Sequence, residues 1–179
     1  LIYNYGVYYP FQDQTVIGLT DEQILRYFHR SFTAVDGLWF LKSEERYGFD
    51  EALETDRRVW EVLPKIQARM IKSFRNLDKG IGALHDCLTT KLTLDGFKFK
   101  SASSLKAFVI VIKECPWHNI MVQSKRASLS AIIGKMVCDT EYSVWAAEFD
   151  DKIVFHPEDR ICEGAKFCVL KFNKNGNEP

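Results

Sequence analysis

The chain has 179 residues, of which 46% are hydrophobic and 13% aromatic, with 24 basic residues against 24 acidic. That length and apolar content predict one domain, residues 1–179, with a real core, and they exclude a disordered chain too polar to offset its own entropy. The balanced charge offers no field to nucleic acid or anionic lipid. The longest apolar run, Ala107 to Ile112, is six residues, against the roughly 20 that a helical membrane crossing needs.

The tyrosine-rich start, Leu1 to Phe11, lacks the basic and then apolar pattern of a secretory signal. With no initiator Met, the numbered sequence is expected to begin inside a longer product. Five cysteines, Cys87, Cys115, Cys138, Cys162 and Cys168, make an odd set in a chain large enough to hold together without staples. Free thiols or metal ligands in a reducing cytoplasm are expected.

Residues 20–90 read as helical. Thr20 and Gln23 form a capping box, Asp21 and Glu22 suit the positive end of the dipole, and Ile24, Phe28, Phe32, Val35 and Trp39 recur at helical spacing. That helix is expected to bend at Gly37. A second is predicted from about Asp50, after Gly48, with Leu53, Trp60, Leu63, Ile66, Met70 and Phe74 on its apolar face and a kink at Pro64.

Residues 91–172 read as sheet, helix and a cysteine-rich hairpin. Leu92, Leu94, Asp95-Gly96, Phe97 and Phe99 suggest a short hairpin, and Leu105 to Lys113 a central strand. Ser128 is expected to cap a helix running through Phe149. Ile153–Phe155 and Lys166–Phe172 read as strands joined by the loop His156 to Ala165, with a loose tail from Asn173 to Pro179. Helices first, then strand, helix and hairpin, predict an α+β fold with N-terminal helices on an antiparallel sheet.

The most informative passage is Ile161 to Phe172. Cys162 and Cys168 flank a glycine turn at Gly164 and can converge on one cation, because zinc accepts thiolates at about 2.3 Å whichever element carries them. Cys138 lies 24 residues upstream on a helix, and Asp159 or Glu158 can add an oxygen ligand. The plain alternative is that these thiols are small buried core residues.

Cys162 and Gly164 followed by Cys168 and alternating apolar residues, with Cys138 upstream, resemble the end of 4-vinyl-reductase domains. The likeness covers roughly Phe108 to Phe172. It implies the small-molecule-binding fold of nitric-oxide-signalling ligand domains. In phenol-sensing members three cysteines and a carboxylate hold zinc; by position Cys138, Cys162 and Cys168 match the thiols and Asp159 the carboxylate. The chain departs from the pattern in a shorter loop and in Asp where Glu is expected.

A second likeness spans residues 20–172. Asp36-Gly37-Leu38-Trp39-Phe40-Leu41, Glu44-Glu45, Gly48-Phe49, Ala52-Leu53, Asp56 with Val59-Trp60, and Cys115-Pro116-Trp117 resemble an uncharacterised prokaryotic family grouped with L-2-amino-thiazoline-4-carboxylic acid hydrolases. That resemblance implies an alternative function, hydrolysis of a small thiazoline-like or cyclic amidine substrate. Cys115, where a strand meets a loop, would be the nucleophile and His118 its base; the bland reading is a buried thiol and a solvated imidazole.

Trp39, Phe40, Trp60, Trp117 and Trp145 are candidates for the walls of a ligand pocket, although ring clusters more often simply fill cores. Glu44, Glu45 and Asp56 could act as bases or pair with Arg46, Arg57 and Arg58 on a solvated face. Asp36 sits on an apolar stripe and needs a partner. The leading expectation is a cytoplasmic small-molecule-binding protein with a structural zinc site. Its partner is a small-molecule ligand, with no nucleic acid and no membrane, and a homodimer is left open.

Overall fold

The computed structural model describes residues 18–174. The tyrosine-rich start and the last five residues of the expected tail lie outside the described residues. The chain divides after Trp39 into two compact units.

The first unit carries most of helix α1 (Asp21–Tyr47). Its capping box forms as predicted: the Thr20 N–H donates to Gln23 Oε1 at 2.8 Å and the Gln23 N–H donates to Thr20 Oγ1 at 3.2 Å. The apolar stripe, however, is not core. No residue of α1 is buried, because the periodic pattern forms the helix face without a described element to cover it.

In the second unit, Gly48 at φ 90° turns the chain into α2 (Phe49–Trp60), and α3 follows (Leu63–Arg75). One kinked helix was the expectation; there are two. Pro64 is the second residue of α3, where the missing N–H is one of the first-turn donors that has no intrahelical acceptor anyway. Proline therefore begins a helix here.

Helix α4 (Ile81–Leu94) replaces the hairpin expected around Asp95-Gly96. Asp95 caps its C-terminus and Gly96, at φ 79°, lets the chain reverse. An Asp-Gly pair serves a helix end as well as a hairpin. The four-residue spacing of Leu84, Leu88 and Leu92, all fully buried, decides for helix.

The hairpin is β1 (Lys98–Ser103) and β2 (Ala107–Glu114), with Leu105 fully out at its tip rather than in the strand. Then come α5 (Pro116–Gln123), α6 (Ala127–Phe149), β3 (Ile153–Pro157), a single 3-10 turn (Ile161–Glu163) and β4 (Cys168–Lys174). Helix α5 stands where a loop was expected. Ser128 lies inside α6, two residues past the Arg126 cap position. Asn173 and Lys174, assigned to the tail, complete β4.

The four strands are antiparallel in the order β1-β2-β4-β3. Strand β2 is central and alternates as a half-buried strand should, burying Phe108, Ile110 and Ile112. Phe108, Phe172 and Phe155 are in register across β2, β4 and β3. Their ring centroids lie 4.6 and 5.1 Å apart, and such aromatic cross-strand pairs fix the register.

Helix α4 packs on β1, β2 and β4, while α6 touches α2, α3, α4, α5, β3 and the 3-10 turn. The core lies between them, with Leu84, Leu88, Tyr142, Trp145 and Phe149 facing the buried strand residues. The architecture is α+β, helices on an antiparallel sheet. Among the described residues no helix is long and apolar enough to cross a membrane.

Candidate functional site

Four thiols from four elements face one region of the second unit. Cys115 ends β2 and caps α5; Pro116 follows it at the first helical position, and the His118 N–H donates to its Sγ at 3.5 Å. Cys138 lies midway along α6, Cys162 on the 3-10 turn, and Cys168 opens β4 opposite Ile112 of β2. The Ile161 N–H donates to Cys168 Sγ at 3.2 Å.

The turn is held by Arg160, a buried cation. Its guanidinium bonds Asp139 of α6 and approaches Glu163, while its carbonyl accepts the N–H groups of Glu163 and Ala165. Gly134 of α6 makes the close approach possible: a Cβ there would lie 3.0 Å from the Trp117 ring and 3.2 Å from Cys162 Sγ.

The thiols share an electrostatic environment that keeps them protonated. Burial pushes Cys115 up to about 11, and the neighbouring Cys168 and Cys162 add to the shift. Burial raises Cys138, with Glu141, Cys115 and Cys168 contributing, and it raises Cys162 and Cys168 in the same way. Cys87, buried on α4, is also raised by burial but answers to Arg75, Asp86 and Lys72 instead. Among the described residues, no three His, Cys, Asp or Glu side chains are arranged to hold a metal ion. The thiols act on one another electrostatically without forming a metal-holding group.

Asp159 is exposed and near Cys168, and its carbonyl accepts the Val169 N–H. The His118 ring places Nδ1 3.0 Å from Oγ of the fully buried Ser130. A nucleophile needs a lowered thiol pKa and a base within reach. Cys115 has a raised one, and the imidazole expected as its base ties α5 to α6.

Trp39 belongs to the first unit and is 72% exposed. In the second, Phe40 meets Phe49 edge-on at 6.1 Å, Trp60 ends α2 half-buried, and Trp117 rests against Gly134. Glu44 grips Arg126 with both carboxylate oxygens, at 2.9 and 2.7 Å, and Glu45 pairs with Lys42. Burial raises the Asp36 carboxyl.

The sequence reading missed the polar groups inside the core. Lys91 of α4 and Glu141 of α6 are each 4% exposed and form an ion pair, with Asp95 3.0 Å from the same ammonium. Burial works against the Lys91 charge, but the two carboxylates outweigh it and raise the pKa above the usual lysine range. One turn along α6 from Glu141, the fully buried Trp145 has an indole N–H without a hydrogen-bond partner among the described residues. Its ring stacks on Phe149 at 6.1 Å. The signal for Glu141 was present: a carboxylate on the same face as Val137 and Trp145.

Comparison with curated proteins returns no match. Among solved structures the chain is similar to the crystal structure of the phenol-responsive sensory domain of the transcription activator PoxR with phenol. Identity is 12%, the TM-score 0.54, and the match covers 79% of this chain and 73% of that one. At that identity the likeness establishes a shared fold, and it agrees with the ligand-domain architecture implied by the C-terminal motif. None of the matches names a thiazoline hydrolase or a 4-vinyl reductase. The model of the family described as "Family of unknown function (DUF6125)" matches residues 18–173, and the chain belongs to that family.

Proposed function

We propose that this protein binds a small, mainly apolar molecule carrying one hydrogen-bond acceptor, in the core between α4, α6 and the sheet. The observation that carries the reading is the Trp145 indole N–H. A buried donor left without an acceptor is costly, and an indole N–H buried in a core normally finds one. A ligand oxygen would supply it. The fold shared with a phenol-responsive sensory domain supports the same reading.

The finer part of the proposal is a structural zinc beside that core. Thiolates are soft donors suited to zinc, and four thiols on four elements give the right donor chemistry. The fourth ligand would be Cys115, which interacts electrostatically with Cys138, Cys162 and Cys168, or Asp159, which interacts with Cys168. Among the described residues no three of these side chains form a metal-holding group, so zinc would have to draw the thiols closer together.

Phenol, with cyclohexanol as its saturated control, tests the ligand reading by thermal melting. A ligand that binds only the folded state raises Tm by mass action, worth about 2.7 kcal/mol at 100 times Kd. Wild type should melt higher in phenol. Trp145→Phe keeps an aromatic ring on Phe149 but deletes the N–H, and should need roughly three- to tenfold more phenol for the same shift. No shift in wild type with either compound overturns the proposal, and an equal shift in the variant removes Trp145 from the site.

A further inference from the structure

Helix α1 presents an apolar face that is uncovered among the described residues. Leu25, Phe28, Phe32, Val35 and Trp39 are each about half exposed or more, from 47% at Phe32 to 72% at Trp39. Their alternating three- and four-residue spacing places them at successive a and d positions of a heptad pattern, the seam along which two helices pack. We propose that this seam pairs with the same seam of a second copy of the chain, as an antiparallel, two-fold symmetric helix pair.

Charge complementarity chooses the partner and the direction. His29 and Asp36 each follow a d position, at Phe28 and Val35, and so flank the seam. In an antiparallel pair crossing near Phe32, the His29 of one copy lies beside the partner's Asp36, where an imidazole N–H can donate to the carboxylate, and the two-fold axis repeats the contact. Asp36 makes no hydrogen bond or ion pair among the described residues. The same arrangement brings the acidic first turn, Asp21 and Glu22, alongside the partner's Lys42 and Arg46, and opposes the two helix dipoles. A parallel pair would set Asp21 and Glu22 against their own copies and leave Asp36 beside Ser31.

The area is sufficient for a specific contact. Each aromatic side chain offers roughly 150–250 Å², and three of them per copy, with Leu25 and Val35, bring the pair to about the 1,000 Å² expected of a real interface. An isologous contact closes at two copies and does not run on into a fibre.

Sedimentation velocity of the full chain over ~1–200 µM tests the proposal. Wild type should pass from monomer to dimer. Phe32→Asp, on an exposed position, should stay monomeric throughout, with unchanged circular dichroism and, at ~1 µM where both chains are monomeric, an unchanged Tm. Asp36→Arg should weaken the dimer at least threefold, and adding His29→Asp should restore it, because the two positions meet only in the antiparallel pair. A wild type that remains monomeric, or a Phe32→Asp chain that still dimerises, overturns the self-pairing. Failure of the double variant to recover overturns the antiparallel direction.

Discussion

A single missing methyl group at Gly134 sets how closely three elements approach. The Trp117 ring from α5 and the Cys162 sulfur from the 3-10 turn both press on the bare backbone of α6 there. Gly134→Ala would gain about 1 kcal/mol of helix propensity. It would also place a carbon within 3.0 Å of the Trp117 ring and 3.2 Å of the sulfur, and overpacking of that kind costs about 1–3 kcal/mol. The expected net result is a Tm lowered by a few degrees, on the scale of about 2–4 °C per kcal/mol for a chain of this size. Gly82→Ala supplies the control, since nothing stands within 4 Å of a Cβ in that exposed turn of α4; it should raise Tm by a similar amount. If Gly134→Ala also raises Tm, the close approach does not constrain the packing.

At the level of elements, the buried pair of Lys91 and Glu141 joins α4 to α6 across the core. Removing one member of a buried ion pair leaves an uncompensated charge and costs about 3–5 kcal/mol, whereas replacing both by apolar residues is often neutral. Lys91→Met should therefore unfold at markedly lower denaturant, and Lys91→Met with Glu141→Leu should recover most of the loss. A double variant as weak as the single one would show that the pair does not act as a unit. This contact also marks the limit of what the sequence carried. Helices α1, α2 and α6, the central strand β2 and the last strand were legible because their periodic apolar residues repeat locally. Lys91 was assigned to a strand because Asp95-Gly96 signals a reversal without saying what precedes it. Helix α4 was missed with it, and so was the partner of Glu141. Pro64 misled for a similar reason: proline breaks a helix interior but suits a helix start, and only the position of the turn before it distinguishes the two. For the candidate site, the grouping of Cys138, Cys162 and Cys168 was suggested by motif resemblance. The approach of Cys115 to them depends on β2 pairing with β4, a long-range contact that no local pattern records.

For the molecule as a whole, the thiol cluster lies at the margin of the core, with Cys115, Cys138 and Cys168 packed against it from partly buried positions. The 3-10 turn has no fully buried residue; Ile161 meets the core from a partly buried position, and Arg160 and Cys162 tie the turn to α6. If zinc closes the cluster, its binding energy is folding energy, and its removal should loosen the C-terminal half first. Protein purified without added zinc should then carry close to one equivalent. After chelation, amide exchange should accelerate in the turn, at the start of β4 and around Cys138, while α3 and α4 keep their protection. The order follows from burial: Leu84, Leu88 and Leu92 anchor α4 fully inside the core, whereas the turn reaches it through the partly buried Ile161. Cys162→Ser should reproduce the chelated pattern and no longer respond to chelator. Less than a tenth of an equivalent of metal, with melting unchanged by chelation, would make the four sulfurs ordinary buried thiols. Protonated at neutral pH, as burial already favours, they would need no cation to account for their packing.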